Sequence, residues 1–286
     1  MSSGPASAHS LRRRIERIKD EAGAEAVAIA YHDYETDSGG SVRPHRWFHA
    51  ASTIKSPILL GVYGAIADGR LPPHSRVHVR NRFLSVPDGS VFRVESSRDA
   101  NEEVHDALGK MLQVEQLARH MIVTSSNLAT NLLVDVVGLE RMQQTLRALG
   151  IHEGIELVRG VEDEPAYEAG ISNRVTADGL LQCLRPLVEE RGFSPEITRA
   201  MLDILHSQEF NSGIPAGLPQ KVRVAHKTGE ISTVAHDAGI VFLPDREPYL
   251  LVVLTEWAPG GSGRRPMIAE ISRAVYEHLA RKGSDE

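Results

Sequence analysis

The chain has a single cysteine, no run of basic residues and no apolar stretch long enough to cross a bilayer, and each absence excludes something. Cys183 alone cannot form an internal disulfide, so nothing in the fold requires an oxidising compartment. A formal net charge of −6, with no basic cluster to offset it locally, argues against nucleic acid as the main partner. The richest apolar segment, 54–67, is interrupted by Lys55 and Ser56 and falls short of the ~20 residues that span a membrane. At the N-terminus, MSSGPASAHSLRRRIERIKDEAG sets arginines where a secretory leader needs its apolar centre, so it does not read as a signal peptide. The expected location is the cytoplasm as the sequence stands, and the periplasm or exterior only if a leader has been removed.

What is present is the composition of an ordinary globular protein. The 286 residues are 41% hydrophobic and 24% charged, enough for one large domain or two lobes with a sizeable core. Leu11, Ile15 and Ile18 fall on one face of an amphipathic first helix. AVAIAYHDYE and VRPHRWFHA read as strands around the turn TDSGGS. Helices are expected over 55–67, 114–123, 129–137, 141–149, 177–190 and 194–206. Three strands follow, VRVAHKTG, HDAGIVFLP and YLLVVLTEW, then a closing helix over 266–281. Two strands early and three late predict one sheet completed by both ends of the chain, with helices inserted between. Two loops stand out: 82–107, polar and rich in Ser and Asp, and 159–175, acidic and irregular. Trp47 and Trp257 are expected to pack on the sheet.

Three short motifs carry chemistry. In FHAASTIKSPILLGVYGAIA, Ser52 and Lys55 stand three apart at the head of a run that is apolar on nearly every side. Residues at i and i+3 share a helical face, and burial disfavours an ammonium, so Lys55 could take the proton of a serine nucleophile. The helix N-terminus adds free N–H groups suited to an oxyanion. Alone, S-x-x-K is better explained by a capping serine and a surface lysine. In MIVTSSNLATNLLVD, Ser125 and Asn127 frame Ser126 between two helical runs; such clusters usually cap the next helix, and otherwise Ser125 can relay a proton while Asn127 bonds a substrate amide. In AHKTGEIS, Lys227, Thr228 and Gly229 end a strand, where ammonium and hydroxyl suit a carboxylate and the N–H of Glu230 can face a reacting carbonyl. His49, His226 and His236 lie near these motifs, but no pair has the spacing of a metal site with an acid partner, so structural histidines and no metal or cofactor are expected.

In this order, S-x-x-K, S-x-N and K-T-G resemble the set found in class A β-lactamases and penicillin-binding proteins, across essentially the whole chain. The resemblance implies an α/β (α+β) fold with a five-stranded antiparallel sheet flanked by helices and an inserted all-helical lobe. It implies a single catalytic domain over 1–286, with an α/β lobe of about 1–56 and 215–286 and a helical lobe of about 57–214. By the same resemblance Ser52 is the acylated nucleophile, Lys55 its base or proton shuttle, and Ser125 the relay. Asn127, Lys227, Thr228, Gly229 and Glu230 then bind substrate, with the N–H groups of Ser52 and Glu230 as the oxyanion hole.

The sequence departs from class A enzymes in three ways. Ser126 stands where they usually carry aspartate. The interval between Lys55 and Ser125 is longer, with 82–107 the extra loop at the cleft entrance. Glu162, Glu164 and Glu168 are all available in RGVEDEPAYEAGISN, yet none has asparagine four residues on; Glu162 and Glu164 are the better candidates for activating water. The expected function is serine hydrolysis of β-lactams through an acyl-enzyme. The alternatives are a D-amino-acid amide or ester hydrolase and a β-lactam-binding module without turnover. In each case the partner is a small molecule, with neither nucleic acid nor membrane.

Overall fold

Both ends of the chain build one antiparallel sheet. The computed structural model describes residues 5–100 and 102–282. Strands β1 (Ala26–Asp33) and β2 (Ser38–Val42) come early, and β3 (Arg223–Ile231), β4 (Val234–Phe242) and β5 (Tyr249–Glu256) come late. Their order is β3-β4-β5-β1-β2, every pair antiparallel. The strands are apolar at almost every position because both faces are covered. Ala28, Ala30, Ala238, Ile240, Leu250 and Val252 point into the core shared with the central helices. Val27, Ile29, Val241, Leu251 and Val253 alternate with them into a second core. That second core is closed by α1 (Pro5–Ala22) and α8 (Arg264–Lys282), and Leu11, Ile15 and Ile18 are buried there as the 3.6 period requires.

Between the early and late strands run α2 (Lys55–Ala67), α3 (Val114–Val123), α4 (Asn127–Val137), α5 (Leu139–Ala148), α6 (Ala177–Val188) and α7 (Pro195–His206). Helix α2 is buried from Lys55 through Ala65. Helix α4 starts two residues before the expected 129 because Ser126 caps it, its hydroxyl accepting from Ala129 N. No helix among the described residues is long and apolar enough to cross a membrane.

The first hairpin corrects the sequence reading. The expected second strand, 42–50, is β2 at 38–42, so Gly39 and Gly40 lie in the strand rather than in a turn. The reason is Tyr31 on β1: a Cβ on Gly40 would stand 2.6 Å from its hydroxyl oxygen. Phe48–His49 instead pairs with Arg174–Val175. Trp257 is buried, its indole N–H donating to Thr255 Oγ1 at 2.7 Å. Trp47 does not pack on the sheet; it is 39% exposed beneath the Arg174 guanidinium. The two marked loops are more ordered than expected. Residues 82–107 contain the hairpin pair Phe83–Leu84 and Val91–Phe92 and two short helical turns, and 159–175 contains the short helix Glu164–Glu168.

Gly40→Ala should therefore destabilise the protein although alanine favours neither turn nor strand strongly. Overpacking against Tyr31 costs about 1–3 kcal/mol, read as a lowered thermal midpoint, and an unchanged midpoint would show that the hairpin yields freely.

Candidate active site

A cavity of about 650 Å³ opens between the sheet and the helices. Ser52, Ser125, Asn127, Thr228, Gly229 and Glu230 line it. Lys55 and Lys227 stand behind that wall, both fully buried. Residues from all three motifs thus meet at one site.

Ser52 sits in a 3₁₀ turn, Ala51–Ile54, that feeds directly into α2. Residues at i and i+3 of a helical turn share a face, so Ser52 and Lys55 lie on the same side of the chain. Ser52 does not act as a side-chain cap. The turn is entered through Ala51 at φ +45°, whose N–H donates to His49 Nδ1 at 3.0 Å.

The Lys55 ammonium organises the wall. Its three donors meet Ser125 O at 2.7 Å, Ser125 Oγ at 3.1 Å and Asn127 Oδ1 at 2.7 Å. Burial lowers its pKa to about 7, while the charges of Asp99 and Glu162 act in the opposite direction. Ser125 reaches this position from φ +60°, a left-handed conformation that costs a residue with a side chain of order 1–3 kcal/mol. Ser126 beside it performs the capping, leaving Ser125 and Asn127 to the cavity.

In β3, Lys227 departs from direct contact with the cavity: its ammonium donates to Thr228 O at 2.9 Å. Burial, reinforced by the charge of Lys55, pushes its pKa well down, with Asp237 opposing. Gly229 is required by close approach, since a Cβ there would lie 2.9 Å from Ser52 N and 2.8 Å from Thr53 N. The end of β3 is thereby laid against the backbone of the 3₁₀ turn. Glu230 follows, its carboxylate held by Arg265 at 2.8 Å.

The nearby histidines are tied to protein groups. His226 bridges Asp237 Oδ1 at 2.9 Å and Asn211 Oδ1 at 3.1 Å, and Asp237 also accepts from Ile214 N, which fixes the segment carrying Ser212 and Gly213 to the cavity. His236 donates from Nε2 to His49 O and accepts at Nδ1 from Thr255 N, the pattern of a neutral imidazole, and burial lowers its pKa to about 4. No group of three or more potential metal ligands is found among the described residues.

The acidic loop closes one side. Glu162, at φ +56°, accepts from Asn127 Nδ2 at 3.3 Å and pairs with Arg98 at 2.9 Å. Glu164 also lines the cavity, whereas Glu168 is exposed and does not. Several residues that hold this arrangement were missed in the sequence. Asn131 grips Val161 through both its N–H and C=O, each at 2.8 Å. Asn173 bonds the backbone of Val158 and Arg159, and the Arg159 side chain bonds Ile171 O at 2.8 Å. Arg98 and Asp99 arrive from the extra loop, which does reach the cavity, as expected. Asn131 was within reach of pattern reading, one helical turn after Asn127; Asp99 offers no local signal.

A model of the Beta-lactamase enzyme family matches residues 10–279. No curated protein matches the chain. Among solved structures, PBP-A is similar at 23% identity, with 95% of this chain and 96% of that one covered and a TM-score of 0.81. A β-lactamase from Sphaerobacter thermophilus is similar at 25% identity, covering 98% and 99%, with a TM-score of 0.78. An ancestral class A β-lactamase is similar at 22% identity, covering 93% and 99%, with a TM-score of 0.80.

Asn131→Ala should free the acidic loop while leaving the sheet in place. Two backbone groups of Val161 lose their partner, about 1–3 kcal/mol if they stay buried. Backbone amides of 159–175 should then exchange hydrogen faster while those of β4 and β5 do not; equal protection throughout would show that Asn131 is dispensable to the loop.

Proposed function

The chain belongs to the beta-lactamase enzyme family, and from that premise we propose that it is a serine hydrolase that opens β-lactams through an acyl-enzyme at Ser52. The single observation that carries this reading is the fully buried Lys55 ammonium, three residues after Ser52 and bonded at once to Ser125 and Asn127. With its pKa brought to about 7, a useful fraction of Lys55 is neutral near neutrality and can accept the Ser52 proton. The Ser52 oxygen then bonds to the lactam carbonyl carbon. Negative charge developing on the carbonyl oxygen is met by the N–H groups of Ser52 and Glu230, which the close approach at Gly229 brings together.

As the C–N bond breaks, the lactam nitrogen needs a proton. Ser125 Oγ, 3.1 Å from Lys55 Nζ, supplies it and is reprotonated by Lys55. Asn127, oriented by Lys55 through Oδ1, offers its amide N–H to the substrate's acylamino carbonyl. The Thr228 hydroxyl meets the substrate carboxylate, and that negative charge favours protonated Lys227 just behind it. Glu162 activates the water that releases the product.

A D-amino-acid amide or ester hydrolase would use the same steps for acylation, and Ser126 favours it. A binding module would stop at the adduct. A time course with a chromogenic cephalosporin, followed by intact mass, separates these. Catalytic colour with a transient adduct is expected; one equivalent of product with a persistent adduct would point to the binding module, and no reaction at all to the other hydrolase. Ser52→Ala should form no adduct, and any adduct on it would overturn the nucleophile. Glu162→Gln should acylate normally but accumulate adduct, deacylating about 10²–10⁴-fold more slowly. Normal turnover in Glu162→Gln would remove Glu162 from the mechanism.

A further inference from the structure

Asp99 lies in the extra loop, and its side chain is fully buried. Four donors surround its carboxylate. Oδ1 accepts from Asn127 N at 2.9 Å, and Oδ2 from Ser126 Oγ at 3.0 Å and Leu128 N at 2.9 Å, with His105 Nε2 at 3.3 Å from the same oxygen. An ionised carboxylate has about four acceptor positions, so its capacity is filled. Two of these donors are N–H groups of the first turn of α4, which have no partner within the helix and carry its positive dipole end.

The same short segment presents its other side to Lys55, through Ser125 O, Ser125 Oγ and Asn127 Oδ1. The turn is therefore held between a buried carboxylate and a buried ammonium. Ser125 holds a left-handed conformation in this turn, one that persists only where the surroundings constrain it. Ser126 can contribute only a hydroxyl where a carboxylate would be needed. The carboxylate comes instead from 27 residues upstream.

We infer that Asp99 is a positioning residue for the proposed reaction, holding Ser125 and Asn127 on Lys55 from the far side of their turn. This inference rests on the hydrolase reading of the site. Asp99 touches no substrate; it acts through the turn and through its charge. The charged groups facing Lys55 are Asp99 from the extra loop, Glu162 from the acidic loop and Lys227 from β3. Around Asp99 itself stand His105, and at longer range His120.

The test is single-turnover acylation by a chromogenic cephalosporin across pH, on the full chain. Asp99→Asn keeps the shape, removes the charge and replaces one acceptor oxygen by a donor. Its plateau rate should fall about 10²-fold, the scale of a small misplacement of catalytic groups. Its rising limb should also move to lower pH than in wild type, because losing a negative neighbour disfavours the Lys55 ammonium. A purely structural cap would lower the thermal midpoint and leave the plateau rate of the folded protein unchanged. The exchange variant Asp99→Ser with Ser126→Asp returns a carboxylate to the turn from within it and should acylate within tenfold of wild type. An exchange variant that folds and stays as slow as Asp99→Asn overturns the inference, as does Asp99→Asn acylating at the wild-type rate with an unmoved profile. If Asp99→Asn does not fold, the exchange variant alone decides. A wild type that forms no adduct would instead overturn the β-lactam reading. Hydrogen exchange at the Asn127 and Leu128 amides then tests Asp99 directly: lost protection in Asp99→Asn supports the role and unchanged protection removes it.

Discussion

One buried ammonium sets the terms for the rest of the structure. Taking a lysine out of water costs several kcal/mol unless its donors are satisfied and its charge is answered. Lys55 is satisfied by three oxygens of one turn and answered by Asp99 and Glu162. Much of the local architecture follows. The apolar run after Lys55 buries α2 on all sides, which holds the lysine at its head away from solvent. The 3₁₀ turn carrying Ser52 leads directly into α2, and Gly229 lets β3 approach the backbone of Ser52 and Thr53 closely. Lys227 adds a second buried amine nearby, and burial together with the charge of Lys55 pushes its pKa down.

The extra loop and the acidic loop are tied to one another as well as to the cleft. Ser85 donates to the Asp163 carboxylate, and Val86 N donates to it at 3.2 Å, while Asp163 caps the short helix that follows it. Arg98 pairs with Glu162, and the neighbouring Asp99 holds the Ser125–Asn127 turn. Two adjacent residues of one segment thus reach both the Glu162 side and the Ser125 side of the site. A segment that reads as a polar surface loop is, in the fold, a brace between them.

What could be read from sequence was what is local. The helix over 55–67 follows from a run apolar on nearly every side and that over 114–123 from a 3.6 periodicity, and both lie where they were expected. The late strands were legible from β-branched runs, and the five-stranded sheet from their placement at both ends of the chain. The second strand was misplaced because Gly39 and Gly40 carry a turn signal, and the steric demand of Tyr31 that puts them in a strand is a cross-strand fact. The three motifs were legible because each is a few contiguous residues. Asp99, Arg98 and Asn173 act over intervals of many residues with no repeating pattern, so only the fold brings them into view. Glu162 and Glu164 stood level as candidates, ahead of Glu168, until the contacts with Asn127 and Arg98 set Glu162 apart.

The central claim is that Lys55 is a desolvated amine that changes protonation state near neutrality. A titration of the wild-type protein with ¹⁵N-labelled lysine, following the side-chain nitrogen of Lys55 by NMR and assigning it by comparison with Lys55→Arg, measures this without any substrate. The account predicts a midpoint near 7 for that nitrogen, while surface lysines titrate above 10. A Lys55 midpoint with the surface lysines would contradict it, since an ammonium still charged at neutrality could not accept the Ser52 proton.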